Sequence, residues 1–192
     1  MKPSAYIGRF APSPTGPLHF GSLVCALASY LDARHHQGQW LVRIEDIDPP
    51  REIPGSTATI LKQLESHGLL WDGDLLYQSQ RSDAYNAALA QLQNDGLTYS
   101  CDCNRQRVAE LGGIYDGHCR QRQVGSESAT RLRLPEDGRD AIVAFNDLIM
   151  GDYQQNLCTE VGDIVVKRRD GLFSYQLAVA VDDHFQNISH II

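Results

Sequence analysis

Three sets of residues in this sequence have the types and spacing to do chemistry. Cys101 and Cys103 flank a single aspartate, and Cys119 closes the Gly-rich run Gly112-Gly113-Ile114-Tyr115-Asp116-Gly117-His118. Thiolates so spaced suit tetrahedral zinc, which could fold a segment with little apolar content of its own. Three reduced thiols are the alternative. On these residues the fourth ligand stays open: His118 adjoins Cys119 and is the obvious candidate, with water or Tyr115 behind it. The second set is His19, Gly21 and Ser22, which follow the Pro-rich stretch from Pro12 to Pro17 and stand where a helical apolar pattern begins. Free N–H groups and the positive end of a helix dipole make such a place an anion site. There Gly21 leaves room for a ligand and His19 offers a ring donor. An ordinary Pro-rich connection is the bland reading. The third set is Arg9 and Glu45, each near the end of an apolar run. An arginine suits a carboxylate and a glutamate suits an ammonium, so the pair describes an amino acid. Without more, a salt-bridged loop fits them as well.

These residues need elements to position them. Ala5 to Phe10 reads as a short strand, and three prolines and a glycine then forbid regular structure. Phe20, Leu23, Val24, Leu27, Ala28 and Leu31 fall at helical spacing, with Cys25 in the same region as a core residue. Arg34-His35-His36 ends that helix, with Gly38 as its left-handed cap. Neighbouring histidines on a helix point different ways, which argues against a metal role for His35 and His36. Trp40 to Ile44 reads as a second strand parallel to the first. Ligands of open parallel sheets bind beyond the C-terminal strand ends, where Arg9 and Glu45 both lie. Ser56 to His67 is a second helix, with Ile60, Leu61 and Leu64 inward and Gly68 as its cap. Ser82 starts a third, whose stripe is Tyr85, Ala88, Leu89 and Leu92, ended by Gly96. This order is α/β. The insert reads as a short polar helix after Cys103 and strands over 129–134 and 141–148 with a turn between them; beyond it, 163–167 reads as a strand running into a turn. An apolar run over 172–181 then leads into Asp182-Asp183-His184, either a capped helix end or a place for metal or acid–base chemistry. Cys158 has no partner pattern.

The totals set bounds. A chain of 192 residues with 42% hydrophobic content is long enough for a real core. Its N-terminus lacks the apolar centre of a signal peptide, and no apolar run approaches membrane-spanning length. Five cysteines without secretory context read as thiols or metal ligands, which makes the cytoplasm the default. A formal net charge of −7 argues mildly against a polyanionic partner. Arg105, Arg107, Arg120, Arg122, Arg131 and Arg133 nevertheless crowd into the middle third, either as a local basic face or as part of a solvated mixed-charge surface.

Taken together, the motifs point further. Pro12-Ser13-Pro14-Thr15-Gly16-x-Leu18-His19-x-Gly21-Ser22 resembles the signature of class I aminoacyl-tRNA synthetases in its glutamyl form. Ser22 stands where the general signature has a second histidine, which the glutamyl branch also lacks. Arg9-Phe10-Ala11 and Arg43-Ile44-Glu45-Asp46-Ile47-Asp48 are similar to the same branch, as is Arg169-Asp170-Gly171-x-Phe173-x-Tyr175 through His184. Cys-x-Cys followed by Gly-Gly-Ile-Tyr-Asp-Gly-His-Cys-Arg resembles the zinc module of shortened members that glutamylate queuosine in tRNA(Asp).

The resemblance implies a Rossmann-like nucleotide fold with a small zinc insert. Residues 1–97 would form the first half of the catalytic domain, 98–160 the insert and 161–192 a return to the sheet. It implies one zinc on Cys101, Cys103, Tyr115 and Cys119, with Tyr115 the unusual member. It implies ATP, with Mg2+ accompanying it, held by His19, Gly21 and Ser22. Glutamate would be bound by Arg9, Phe10, Ala11, Pro12, Ser13, Glu45 and Tyr175. The expected product is glutamyl-queuosine at the first anticodon position of tRNA(Asp), made by a cytoplasmic monomer without a membrane partner. A shortened discriminating glutamyl-tRNA synthetase and an inactive zinc- and ligand-binding remnant are the competing readings. The family's next arginine and its Lys-Met-Ser-Lys-Ser-type loop would lie beyond Ile192. A chain ending there is expected to fold and keep zinc, yet form almost no glutamyl-adenylate.

Overall fold

The computed structural model describes residues 6–136 and 138–192; Ala5 of the expected first strand and Asp137 of the expected turn lie outside them. In chain order the elements are β1 (Ile7–Phe10), α1 (Phe20–His35), β2 (Gln39–Ile44), α2 (Ser56–Ser66), β3 (Leu76–Tyr77) and α3 (Ser82–Asn94). Then come β4 (Thr98–Cys101), α4 (Arg105–Glu110), β5 (Ala129–Leu132), β6 (Ile142–Asp147), β7 (Gly151–Asn156), β8 (Val165–Lys167) and α5 (Tyr175–Phe185). Two compact units result: residues up to Tyr85 with Ala178–Ile192, and Asn86–Leu177.

The first unit is a parallel sheet in the order β1-β2-β3, with Ile7 opposite Gln39 and Arg43 opposite Leu76. The β1–α1–β2 crossover is the one the sequence leads us to expect; β3 was hidden in a two-residue strand. Trp40, Val42, Ile44, Ile60, Leu64 and Leu69 make the core, with Ala26 and Ala33 of α1 packed against them.

The helix α1 turns a different face inward from the one its large residues describe. Ala26, Ser29 and Ala33 are its buried residues, while Phe20 is 83% exposed, and Val24, Leu27 and Leu31 are exposed as well. Small side chains let the helix come close to the sheet, where Trp40 Nε1 donates to Ser29 Oγ at 2.9 Å. Cys25 is exposed and so is no core residue. The end of α1 also differs. Gln37 is the left-handed residue, with φ 54°. Gly38 serves close approach, because a Cβ there would collide with the Tyr6 backbone, to which Gln39 N donates at 2.9 Å.

The second unit has an antiparallel sheet, β4-β5-β8, and a separate hairpin, β6-β7. The 129–134 and 141–148 runs do form strands, β5 and β6, in different sheets. Strand β6 turns back on the unforeseen β7, because Asp147 Oδ1 accepts from Ile149 N and Met150 N, both at 2.8 Å, and Gly151 takes φ 83°. Such a side-chain-closed turn ends one strand and starts the next.

Candidate active site and metal centre

The Pro-rich loop between β1 and α1 is tied down by its neighbours. Glu45 N donates to Pro12 O and Ile53 N to Pro14 O, both at 3.0 Å. Gln63 of α2 clamps Leu18 through both of its amide atoms. A cavity of about 420 Å³ opens against this loop, lined among others by Ala11, Ser13, His19, Gly21 and Ser22. His19 is the N-cap of α1: its Nδ1 accepts from Ser22 N at 3.2 Å, and its Nε2 lies 3.1 Å from Ser22 Oγ. Gly21 makes room for that ring, since a Cβ would stand 3.1 Å from His19 Cε1. The space left by glycine is thus taken first by His19, where the sequence suggested a ligand.

Arg9 and Glu45 do belong to one array, built by Asp183, which the sequence offered only as part of a helix end or a metal or acid–base triplet, and by Arg43, to which it gave no separate role. Asp183 accepts from Arg9 Nε at 2.9 Å and Nη2 at 3.1 Å, and from Arg43 Nη1 at 2.7 Å. Arg43 Nη2 lies 3.4 Å from Glu45 Oε1. Arg43 is fully buried and Glu45 is 7% exposed. Burial pushes the Glu45 carboxyl above its usual range, against the pull of Arg43 and Arg9. Burial acts on Asp183 too, but hydrogen bonds from Arg9 and Arg43 outweigh it and hold that carboxyl below its usual range. Two cations against two anions leave the array nearly neutral, with Arg9 oriented by its grip on Asp183. Strand alternation puts Arg43 on the same face as Glu45, a signal by which it could have been found. Asp182, one residue away, is fully buried and accepts from Gln78, Arg81 and Tyr85. The Asp182-Asp183 pair therefore ties the part of α5 from Ala178 onward into the first unit, through arginines, Gln78 and Tyr85, and neither metal nor proton transfer is needed to explain it. Tyr175, the remaining expected glutamate contact, starts α5 within the second unit and is exposed. Phe10 is buried at the end of β1, and Pro12 is buried in the loop.

In the second unit the sulfurs of Cys101, Cys103 and Cys119 lie within 4.8 Å of one another. The Tyr115 oxygen is 3.3 Å from Cys101 Sγ and 3.6 Å from Cys103 Sγ, and Cys103 and Cys119 are 3.6 Å apart. Zinc–sulfur bonds of about 2.3 Å in a tetrahedron put ligand atoms about 3.8 Å apart, so these four residues fit the metal. Cys119 N donates to the Tyr115 oxygen at 3.0 Å, which aims the oxygen at the sulfurs. His118 is exposed, and its backbone N goes to Asp116. Among the described residues no histidine joins the cluster. Burial pushes the Cys101 thiol up, but hydrogen bonds from Tyr115 and Arg131 bring it below its ordinary value. Arg131, unnoticed as a partner in the sequence, donates to Cys101 Sγ at 3.2 Å and lies over the Tyr115 ring at 3.7 Å.

Residues 7–192 match the family model for the catalytic domain of class I tRNA synthetases (E and Q). The chain belongs to this family. Its similarity to curated members is high: it is 56% identical over 192 residues to the glutamyl-Q tRNA(Asp) synthetase of Cronobacter sakazakii, covering all of this chain and 63% of that protein. It is 55% identical to the protein of the same name from Escherichia coli O6:H1, covering 61% of it. The chain therefore spans under two thirds of the length of these relatives. Among solved structures, a glutamate tRNA ligase from Elizabethkingia meningosepticum, crystallised with its amino acid, superposes with a TM-score of 0.83 at 29% identity. That match covers 98% of this chain and 43% of the other. Family membership accounts for the motif order around His19 and Glu45. No helix of the described residues is long and apolar enough to cross a membrane.

Proposed function

We propose that the protein to which this chain belongs activates glutamate with ATP and transfers it to queuosine in tRNA(Asp). The observation that carries this reading is the buried Arg9–Asp183–Arg43–Glu45 array beside the loop that ends in the His19-capped helix. Fixed charges of both signs next to a helix N-terminus suit an amino acid and a phosphate held side by side. Choice of the glutamyl-queuosine product rests on the names borne by the 55–56% identical relatives.

In this reading the α-carboxylate of glutamate attacks the α-phosphorus of ATP. A carboxylate–phosphorus bond forms, the bond to the β-phosphate oxygen breaks, and pyrophosphate leaves. Queuosine then takes the glutamyl group and AMP departs. No protein nucleophile is required, only positioning and stabilisation of developing charge. Arg9 and Glu45 hold the charged ends of glutamate, within a pocket walled by Phe10, Ala11, Pro12 and Ser13. His19, Gly21 and Ser22 face the phosphates, which Mg2+ accompanies. Family likeness adds Tyr175 to the glutamate contacts. Cys101, Cys103, Tyr115 and Cys119 would hold zinc, which would contribute to the folding of the insert. The Tyr115 proton, held by burial and by the three thiols, must leave when the metal binds.

The test is glutamate-dependent ATP–pyrophosphate exchange, run on this chain and on one of its relatives' length, followed by transfer to tRNA(Asp) with and without queuosine. Exchange with glutamate and transfer only to the queuosine form are expected of the chain of the relatives' length. Exchange driven equally by glutamine, or transfer to a tRNA 3′ end, would replace the reading with that of a tRNA-charging synthetase.

A further inference from the structure

As zinc ligands, Cys101, Cys103 and Cys119 bind as thiolates and Tyr115 binds through an ionised oxygen. These groups carry four negative charges and zinc returns two, so the loaded centre is short of positive charge. Cys101, Tyr115 and Cys119 are all buried, where such an imbalance is costly unless a cation stands beside it. The cations around the cluster are arginines. Arg107 lies 5.9 Å from the centre of the Tyr115 ring, and Arg122 Nη1 lies 3.7 Å from Cys119 Sγ. Both already serve a carboxylate: Asp116 at 2.6 Å for Arg107, and Asp102 at 3.4 Å for the exposed Arg122.

Arg131 stands apart from these two. It is the buried residue of β5, the central strand of its sheet. The register of β5 against β8 shifts between Thr130 and Arg131, an irregularity of the kind that re-aims a side chain. Its Nε donates to Cys101 Sγ at 3.2 Å, its guanidinium lies 3.7 Å from the Tyr115 ring centre, and its Nη1 donates to Asp163 O. A thiol, an aromatic face and a carbonyl are thus its partners, and no carboxylate pairs with it among the described residues. A buried cation without a counter-ion is destabilising, and the charge that would answer it is the one the ligand set acquires with the metal. One guanidinium also touches two of the four ligand residues, whose ligand atoms are 3.3 Å apart. Outer partners that donate to metal ligands fix the orientation of those ligands.

We propose that Arg131 is a positioning residue of the metal centre: it holds Cys101 and Tyr115 as adjacent ligands and supplies counter-charge to an all-anionic set. The inference rests on the zinc reading above. It adds the residue that lets a tyrosine oxygen serve where a neutral histidine is the more ordinary ligand.

Zinc affinity is measured by competition with a chromophoric chelator, and Co2+ loaded in place of zinc reports the ligands by visible absorption. Arg131→Gln and Arg131→Met are each expected to weaken zinc binding about 10- to 100-fold. Arg131→Lys keeps the charge but not the planar fork, and should recover part of that loss. Arg139→Gln, at an exposed arginine of the same unit, should leave the affinity unchanged. The cobalt bands of Arg131→Gln should move in the direction in which Tyr115→Phe moves them. In the double variant the two losses should fall short of their sum, which a residue acting only through the fold would not produce. If Arg131→Gln does not fold, Arg131→Met carries the comparison, since it fills the space without a buried polar group. Parent-like zinc affinity in a folded neutral variant would overturn the proposal, as would losses that add fully with Tyr115→Phe. A parent that takes up neither metal removes the zinc reading itself, a result distinct from a parent and variants that all bind equally well.

Discussion

At the scale of single residues, Asp183 governs the charged array. Replacing it by asparagine keeps the shape but leaves Arg9 and the fully buried Arg43 short of a counter-charge. Breaking a buried pair on one side costs about 3–5 kcal/mol, so Asp183→Asn should lower the free energy of urea unfolding by about 3 kcal/mol. Glutamate affinity should fall with it, because Arg9 loses its orientation. Glu45 gives a pH signature. Its carboxyl is held above the ordinary range chiefly by burial, and only its ionised form attracts an ammonium. Glutamate binding should therefore weaken as pH falls, beginning above the usual carboxylate value of about 4.3. Calorimetry at several pH values should show this trend in the parent and a flat profile in Glu45→Gln. At the metal centre, His118→Ala should retain zinc, while Tyr115→Phe should loosen it and Cys119→Ser should lose it. Elemental analysis after dialysis against a weak chelator reads all three.

At the scale of elements, two glycines make a contrast that separates space from backbone strain. Gly38 lies against the Tyr6 backbone where α1 hands over to β2, and no side chain fits. Gly55, at the start of α2, has φ 83° with open space around it. Gly38→Ala must push two strand ends apart and should cost about 3 kcal/mol, in the range of severe core changes. Gly55→Ala meets only the left-handed penalty, about 1 kcal/mol. Chemical unfolding of the two variants gives the comparison. Helix α1 shows why periodicity locates a helix better than it orients one. Its 3.6-residue spacing was plain, yet the buried face is the one with Ala26, Ser29 and Ala33. Close approach to the sheet at Trp40 selects small residues, and no helical pattern contains the shape of the partner.

At the scale of the whole molecule, stability should depend on acid. In Asp183, Asp163 and Asp72, burial raises the carboxyl, but hydrogen bonds from arginine partners outweigh it and leave each below its usual value. Groups of this kind stabilise the fold above their unfolded value, about 3.9, and that contribution disappears as pH drops through the depressed folded value. Glu45 acts in the opposite sense, since its raised folded value favours the protonated, folded form at low pH. Asp102, Asp116 and Asp147 are depressed as well and only Glu52 joins Glu45 on the raised side, so the balance predicts a urea midpoint that falls steadily below pH of about 4. A midpoint unchanged into that range would mean these ion pairs contribute nothing net.

What the sequence determined by itself was local and chemical. Proline and glycine broke the chain between Phe10 and His19, apolar spacing set the β1–α1–β2 order, and the Cys-x-Cys and Gly-rich run marked the thiol cluster. Each of these follows from the conformational limits or ligand chemistry of residues close in sequence. What only the tertiary structure decided was which distant groups meet. Asp183 reaches Arg9 and Arg43 across most of the chain, and Arg131 comes up beside Cys101 and Tyr115 from another strand. The pairing of β5 with both β4 and β8 belongs here too. Such contacts depend on sheet register, helix-face selection and the pairing of buried charges. Those are settled by competition among all the packing partners, and no short stretch of residues records the outcome.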